Sequence, residues 1–383
     1  AYYICTVPGL QELVENHNVI VCMGCGGVGK TTISASIALK AALQGRRVLC
    51  LTIDPARRLA TSLGLGRMQG QEQQVDHLAF VEAGLIIRGS LSAAVVDAKE
   101  TFDALIRRLS TDEAAADRIL DNRIYKYVSA SMPGIQEYMS MDRLCTVKES
   151  QDYDLVVLDT PPTSNALDFL DAPRRVTAAM NSPAVDWLMA TGRGGVLSQG
   201  TAFVMRQLSR IAGSVVLERM SELASDFESM LDGLRDRAAM VDETLRSDEV
   251  AFVLVTSPDP LAVDEAIFLN HRLVEMGLQG GALVVNRMRP YRPGSRSIDA
   301  DGILAALTEA KRNLPATVLK SLATKLDRAN REEHSLAEAD RFHVERLARS
   351  CRNIDSICRV PGLDRDVYEL AQLARLHEWL FAA

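Results

Sequence analysis

The stretch that decides the fold is residues 24–31, which reads GCGGVGKT and matches the pattern G-x-x-x-x-G-K-[ST]. Residues 18–23 before it read NVIVCM, a short apolar run typical of a buried strand. Residues 31–43 after it are typical of a helix, which Gly45 would end. A strand, a glycine-rich turn and a helix in this order aim backbone N–H groups and a helix N-terminus at one point. The stretch therefore predicts a phosphate-binding loop.

Each residue type in this loop has a chemical task. The backbone N–H groups of Gly26, Gly27, Val28 and Gly29 would face phosphate oxygens, because glycines let the chain turn tightly. Lys30 would neutralise the β- and γ-phosphates of a nucleotide, and Thr31 would hold Mg²⁺ through its hydroxyl. Two alternatives stay open: a glycine-rich turn that matches by chance, and a metal or redox pair formed by the cysteines of Cys22-x-x-Cys25.

Two aspartates end predicted strands. Residues 153–162 read YDLVVLDTPP, and Asp159 at the end of this run would support the Mg²⁺ shell. Asp54 lies in TIDPARR, residues 52–58, where its carboxylate could orient or deprotonate an attacking water. The structural alternatives are a turn aspartate after the strand for Asp159 and a helix N-cap for Asp54.

Further apolar runs alternate with helical sequence along the whole chain. The predicted strands, besides 18–23, are 47–53, 90–97, 155–158, 251–255, 282–285 and, more weakly, 354–360. This alternation predicts an α/β fold with a doubly wound, mostly parallel sheet. Residues 98–150 and 172–249 are too long for single crossover helices, so they predict a helical subdomain inserted into one domain spanning 1–383.

Composition excludes several classes of protein. The chain has 383 residues and a formal net charge of −7, with 47% hydrophobic and 24% charged residues, which is ordinary for a globular protein. It shows no basic stripe, so no nucleic-acid partner is expected. Seven cysteines in so long a chain do not form a disulfide scaffold. Neither a signal peptide nor an apolar run of membrane-spanning length is visible, so we expect no integral membrane segment and a cytoplasmic location.

Taken together, several segments resemble the arsenite-efflux and tail-anchored-protein-targeting ATPase family (ArsA-like), whose phosphate loop is of the deviant Walker A type. The segments are GCGGVGKTT at 24–32, TIDPARRLATSLGL at 52–65, MPGIQEYM at 132–139, LDTPPTSNALDFL at 158–170 and ALVVNR at 282–287. They follow the family's order along nearly the whole chain, and are specific as a set although the phosphate loop alone is not.

The resemblance implies a magnesium-dependent ATPase that acts as a nucleotide-switched dimer and couples its ATP state to a client or partner. It implies that Asp54 activates the hydrolytic water and that Lys30, Thr31 and Thr32 contact phosphate and Mg²⁺. It places Asp159 in the metal shell. Adenine would be held by Asn286 and by residues 359–363, which include Pro361. The expected ligands are therefore ATP and Mg²⁺.

The chain departs from the family pattern at one important position. The family's loop begins G-K-G-G-V-G-K-T, and its first lysine reaches the partner subunit's phosphates, whereas this chain has Cys25 there. Hydrolysis could be slow, could use Arg57 or Arg58, or could need a related subunit that supplies the lysine, so a homodimer and a heterodimer both stay open. The family's late Cys-x-x-Cys is also absent, which makes an arsenite pump doubtful.

The helical sequence offers two apolar faces. The first comprises Val204, Leu208, Ile211 and Val215; the second comprises Met220, Leu223, Phe227, Met230, Leu231 and Leu234. Such faces could hold an apolar helix of a membrane-protein client or could pack internally. The alternative function is thus a nucleotide-sensing chaperone or binding subunit that hydrolyses ATP weakly or not at all. Partition and septum-site ATPases are a further class, and TKLD at 324–327 resembles a guanine motif but lies in helical sequence.

Overall fold

An eight-stranded sheet forms the centre of the molecule. The computed structural model describes residues 9–53, 58–66, 71–123, 125–126, 129, 134–161, 166–182, 230–278, 280–290, 300–310, 314–351, 354, 356–363 and 366–381. The strands are β1 Val19–Met23, β2 Arg47–Thr52, β3 Gln73–Gln74, β4 Ser90–Val95, β5 Leu155–Asp159, β6 Val250–Thr256, β7 Gly280–Met288 and β8 Ile357–Pro361. Their order across the sheet is β3-β4-β2-β5-β1-β6-β7-β8.

The described strand pairs run parallel, apart from the antiparallel pair of β3 and β4 at one edge. The prediction of an α/β fold with a mostly parallel sheet is therefore confirmed, and each predicted apolar run forms a strand. Sequence did not reveal β3, because its two glutamines carry no apolar pattern.

Helices flank the strands on both faces of the sheet. They are α1 Gly9–Asn16, α2 Lys30–Leu43, α3 Arg58–Ser62, α4 His77–Glu82, α5 Ala98–Leu109, α6 Glu113–Asp121, α7 Ile135–Ser150, α8 Ala166–Met180, α9 Leu231–Arg246, α10 Pro260–Glu275, α11 Ala300–Ala310, α12 Ala316–Ser350, α13 Leu370–Arg375 and α14 His377–Leu380. Among these helices, none combines the length and apolar character needed to span a lipid bilayer.

The central strand β1 is buried along its whole length, which explains its uninterrupted apolar sequence. Its side chains alternate between two cores: Val19 and Val21 join one, and Ile20 and Cys22 join the other. The strand lies between β5 and β6, where the chain switches from building one half of the sheet to building the other. Ligands of doubly wound sheets bind outside the carboxyl ends of strands at such a point.

The described parts of 98–150 and 172–249 are largely helical, as expected from their sequence. Helices α5, α7 and α9 contribute to the same core that covers one face of the sheet. Residues 183–229 lie outside the described residues, and with them the first predicted apolar face and most of the second. The inserted subdomain therefore stays a prediction.

The C-terminal helix α14 supports the back of α2 through His377. Its Nε2 lies 3.0 Å from the carbonyl oxygen of Ser36, so the neutral ring donates this hydrogen bond. The ring also meets Phe381 edge-on at a centroid distance of 5.4 Å. Burial lowers the pKa of His377 from 6.5 to about 4. The folded protein therefore holds this imidazole in its neutral form.

The lowered pKa of His377 predicts a loss of stability in mild acid. As pH falls, the unfolded chain takes up a proton near pH 6.5 and the folded chain only near pH 4. This contribution to stability is thus complete above pH 6.5 and is lost progressively as pH falls toward 4. We expect the urea concentration at the unfolding midpoint to be lower at about pH 5 than at about pH 7.5. The decrease should be smaller in His377→Gln, which keeps a donor but does not titrate. Equal losses in the two proteins would contradict this role.

Candidate functional site

The loop between β1 and α2 has a backbone that only glycine accommodates at two positions. A Cβ on Gly24 would lie 1.9 Å from the carbonyl oxygen of Val255, and one on Gly29 would lie 2.3 Å from Nδ2 of Asn286. Gly27 has a φ of 79°, but a Cβ there would meet no atom within 4 Å. The loop is thus packed against the sheet on one side and open at Gly27 on the other, as a cradle for phosphate requires.

Helix α2 begins at this open side without a side-chain cap. Gly29 is its N-cap residue, in the left-handed conformation, and makes no capping hydrogen bond. Lys30 is only 7% exposed, and its Nζ donates to the carbonyl oxygen of Cys25 at 2.9 Å. The first-turn N–H groups and one ammonium group therefore converge on the loop, which favours an anion.

Asp159 joins the loop to the ends of two neighbouring strands. It is 1% exposed, and its Oδ2 accepts hydrogen bonds from Oγ1 of Thr31 at 2.7 Å and Oγ1 of Thr52 at 3.1 Å. Strand register produces this meeting, because Asp159 pairs with Cys22 of β1 and with Thr52 of β2. The contact between Thr31 and Asp159 brings together the two residues predicted to hold Mg²⁺.

A hydroxyl and a carboxylate beside a phosphate loop are the oxygen ligands that Mg²⁺ prefers when substrate phosphates complete its shell. Among the described residues, no group of three or more His, Cys, Asp or Glu side chains could hold a metal ion by itself. The residues present thus fit a nucleotide-borne magnesium ion better than a protein-only metal centre.

The ends of β7 and β8 lie on the other side of the loop. Asn286 donates from Nδ2 to the carbonyl oxygen of Val28 at 2.8 Å, and its Oδ1 accepts from the N–H of Arg287 at 2.9 Å. Met288 is in register with Pro361 of β8. Asn286 and the segment containing Pro361 are therefore near neighbours, and their predicted contact with adenine stays a prediction.

Cys25 is half-buried against Glu265 of α10. Burial, together with the charge of Glu265 and a hydrogen bond to it, raises the pKa of Cys25 to about 11. Burial likewise raises the pKa of Cys22 to about 12. Both thiols are therefore protonated near neutral pH, which argues against the redox or metal pair that their spacing allowed.

The structure brings together most of the predicted site residues. Lys30, Thr31 and Asp159 meet at the loop, and Thr32 follows them in the first turn of α2. Asp54 lies in 54–57, outside the described residues, so its role stays a prediction. Sequence analysis missed Glu265 and Thr52. Glu265 carried no signal, whereas Thr52 could have been found as the polar last residue of a buried strand.

Alanine should destabilise the protein by different amounts at Gly27 and at Gly24, because a Cβ meets open space at the first and the backbone of Val255 at the second. Gly27→Ala should cost about 1–2 kcal/mol, because alanine is strained at positive φ but meets open space. Gly24→Ala should cost about 1–3 kcal/mol more, because its Cβ would collide with the carbonyl of Val255. Denaturant unfolding of the two variants measures the difference. A loss for Gly27→Ala equal to or larger than that for Gly24→Ala would show that the loop is not held against β6 as described.

Comparison with known proteins gives a consistent result. The family model for the anion-transporting ATPase (ArsA_ATPase) matches residues 17–297. The chain is 26% identical over 292 residues to ATPase GET3 of Malassezia globosa, covering 76% of this chain and 78% of that protein. It is 27% identical over 301 residues to ATPase ARSA2 of Chlamydomonas reinhardtii, covering 76% and 75%. It is also 23% identical over 284 residues to ATPase ASNA1 homolog 2 of Paramecium tetraurelia, covering 73% and 79%.

Proposed function

The chain belongs to the anion-transporting ATPase family, and from this premise we propose that it binds Mg–ATP in the loop at 24–32 and hydrolyses it as a nucleotide-switched dimer. The observation that carries the proposal is the contact of Thr31 with Asp159 in front of a loop that is open at Gly27. If the glycine-rich turn matched the pattern only by chance, we would not expect a hydroxyl, a carboxylate and a lysine to lie around its opening.

Each described residue of the site has a task in this proposal. The N–H groups of residues 26–29 and the ammonium group of Lys30 would hold the phosphates, with Thr32 beside them. Thr31 and Asp159 would hold Mg²⁺. Bound Mg²⁺ supplies positive charge to the β- and γ-phosphate oxygens where negative charge builds during phosphoryl transfer. Thr52 would keep Asp159 oriented by its hydrogen bond to Oδ2.

Hydrolysis also needs a group that orients water. We assign this task to Asp54, which comes two residues after Thr52 in the sequence and carries the carboxylate that such a reaction needs. Asn286 and Pro361 would contact the adenine base, an assignment supported by their position at the neighbouring ends of β7 and β8.

The second candidate is a nucleotide-sensing chaperone or binding subunit with weak hydrolysis. Cys25 favours it, because the loop position that carries a lysine in the family pattern is here a neutral thiol beside the carboxylate of Glu265. Removal of a cation from a phosphoryl-transfer site can cost orders of magnitude in rate. A heterodimer in which a related ATPase subunit supplies the lysine would restore that charge, and a homodimer would not.

Replacement of Cys25 distinguishes fast from weak hydrolysis. If the missing cation limits turnover, Cys25→Lys should raise the rate of phosphate release by at least about 10-fold, within the range known for such cations. Cys25→Met is the matched control, since it lengthens the side chain without adding charge. No rise in Cys25→Lys, or an equal rise in both variants, would mean that the charge at this position does not limit the reaction.

The proposal also includes a client. An apolar helix or membrane-protein client in the cytoplasm follows from the family resemblance. The described part of the candidate apolar face is Met230, Leu231 and Leu234, all of which are buried in the core beside the sheet. These three residues therefore favour internal packing over client binding.

A further inference from the structure

Arg287, near the end of β7, has a backbone conformation that residues other than glycine seldom adopt. Its φ is 61°, in the left-handed region, where the Cβ of a bulky residue is crowded. Among the described residues, Gln151 is the only other non-glycine residue with positive φ, at 57°. Gln151 caps the end of α7, where a left-handed residue is common, whereas Arg287 lies inside a strand. Helix termination therefore explains Gln151 but not Arg287.

A shift in strand register accompanies this conformation. The pairing of β7 with β8 shifts between Val285 and Met288, so that Asn286 and Arg287 lie opposite a single residue, Val360. The backbone N–H of Arg287 donates to Oδ1 of Asn286 at 2.9 Å, which holds the two residues together. A bulge of this kind bends the strand and changes the direction of a side chain, and bulges are frequent beside active sites.

The side chain of Arg287 has no partner within the part of the chain that the structure describes. It is exposed and follows five buried residues of β7, and its guanidinium group makes no hydrogen bond or ion pair with a described residue. Arg289, two residues later, differs, because its Nη1 lies 2.8 Å from Oδ1 of Asp340 on α12. A strained backbone that carries an exposed, unpaired cation is typical of a ligand site.

The bulge lies directly against the phosphate loop. Asn286 donates from Nδ2 to the carbonyl oxygen of Val28 at 2.8 Å, and a Cβ on Gly29 would lie 2.3 Å from the same nitrogen. Arg287 is therefore one residue away from a contact with the loop. If the phosphates of a nucleotide lie in the loop, as the proposed function requires, a base at the ends of β7 and β8 lies beside Arg287.

We propose, on the basis of that proposed function, that the guanidinium group of Arg287 stacks on the adenine base of the bound nucleotide. This group is planar and always charged, and it is attracted to the face of an aromatic ring. The phosphates already have Lys30 and the N–H groups of the loop. Asn286 keeps one N–H and one lone pair for the edge of the base, since Val28 and the backbone of Arg287 occupy the others. Arg287 thus covers the face of the base while Asn286 meets its edge.

Calorimetric titration with two probes tests the proposal, namely Mg–ADP, which has a base, and Mg–pyrophosphate, which has none. Arg287→Gly should weaken binding of Mg–ADP by about 10-fold, within the range of a cation–π contact shielded from water, and should leave binding of Mg–pyrophosphate unchanged. The variant should be at least as resistant to urea as the parent, because glycine adopts positive φ without strain. A structural defect would instead weaken both probes and lower the resistance to urea.

Two further variants serve as controls. Arg287→Asn should bind both probes as Arg287→Gly does, since asparagine tolerates the left-handed conformation and restricts the backbone more than glycine. Gln151→Gly makes the same change of backbone preference at the opposite edge of the sheet, where the carbonyl oxygen of Gln151 accepts from Arg47 at the start of β2. It should bind both probes like the parent.

The two probes separate a failure of this inference from a failure of the nucleotide site. Binding of Mg–ADP by Arg287→Gly with the parent's affinity would overturn the stacking contact and leave the site intact. An equal loss for Mg–pyrophosphate would also overturn it, because the arginine would then act on phosphate. A parent that binds neither probe would overturn both the nucleotide site and the stacking contact.

Discussion

Lys30→Met should lower the rate of ATP hydrolysis by on the order of 10²–10³-fold, the loss seen when one donor to the transition state is removed from an active site. The ammonium group of Lys30 lies inside the loop, where its Nζ donates to the carbonyl oxygen of Cys25 at 2.9 Å. Because the side chain is only 7% exposed, its charge acts in surroundings that screen it poorly. Methionine keeps most of the length of lysine and removes only the charge and the donors.

The matched control for Lys30→Met is Lys40→Met in the last turn of the same helix. Lys40 lies over the ring of Phe381 at 5.2 Å from its centroid, far along α2 from the loop. We expect Lys40→Met to keep the parent's rate within a few-fold. Phosphate release at saturating Mg–ATP measures both variants, with denaturant unfolding to verify that each is folded. If the Lys30→Met protein were as active as the Lys40→Met protein, Lys30 would have no role in hydrolysis.

The second large effect concerns stability, and it arises at a buried ion pair between α7 and α9. Arg237 donates from Nε to Oδ1 of Asp142, and its side chain and that of Asp142 are 6% and 3% exposed. It also donates to Thr146 and to the carboxylate of Glu149. Although burial lowers the pKa of Arg237, the hydrogen bonds and charges of Asp142 and Glu149 raise it overall. The arginine is therefore charged in the folded protein.

Arg237→Met should cost about 3 kcal/mol of unfolding free energy, the lower end of the range for breaking a buried ion pair. The cost arises because Asp142 loses its closest partner while it stays buried. Arg108 limits the loss, since its Nη2 lies 3.7 Å from Oδ1 of Asp142.

Two further variants separate charge burial from lost packing. Replacing both partners, as Arg237→Met with Asp142→Leu, should recover most of the stability, because no unpaired charge is left inside. Arg235→Met changes a more exposed arginine on the same helix and should cost less than about 1 kcal/mol. Urea unfolding compares all of them, and a double variant no more stable than Arg237→Met would mean that packing, not charge, is what Arg237 contributes.

Sequence predicted the sheet well because its central strands β1, β5 and β6 are buried along their whole length. Continuous apolar runs such as VIVCM at 19–23 occur where both sides of a strand are covered, so they stand out from their surroundings. The two-residue edge strand β3 has no such pattern and was missed. The phosphate loop was predictable for a different reason, since its glycines are fixed by local backbone geometry and close approach to Val255 and Asn286.

The rest of the site depends on strand order, which sequence does not show directly. Thr52 reaches Asp159 only because β2 and β5 are neighbours in parallel register. Glu265 reaches Cys25 from a helix that begins more than two hundred residues later, and neither residue indicates the other. Contacts of this kind arise from tertiary packing, so a local pattern could identify the phosphate loop but not the groups that surround it.

A phosphate site formed by the loop at 24–32 together with Asp159 is the central premise of the proposed function. Calorimetric titration of the chain with a non-hydrolysable ATP analogue, with and without magnesium, tests it directly. We expect one nucleotide bound per chain, with an affinity that rises when magnesium is present and falls in Asp159→Asn. A titration that shows no binding, or binding that neither magnesium nor Asp159→Asn alters, would contradict it.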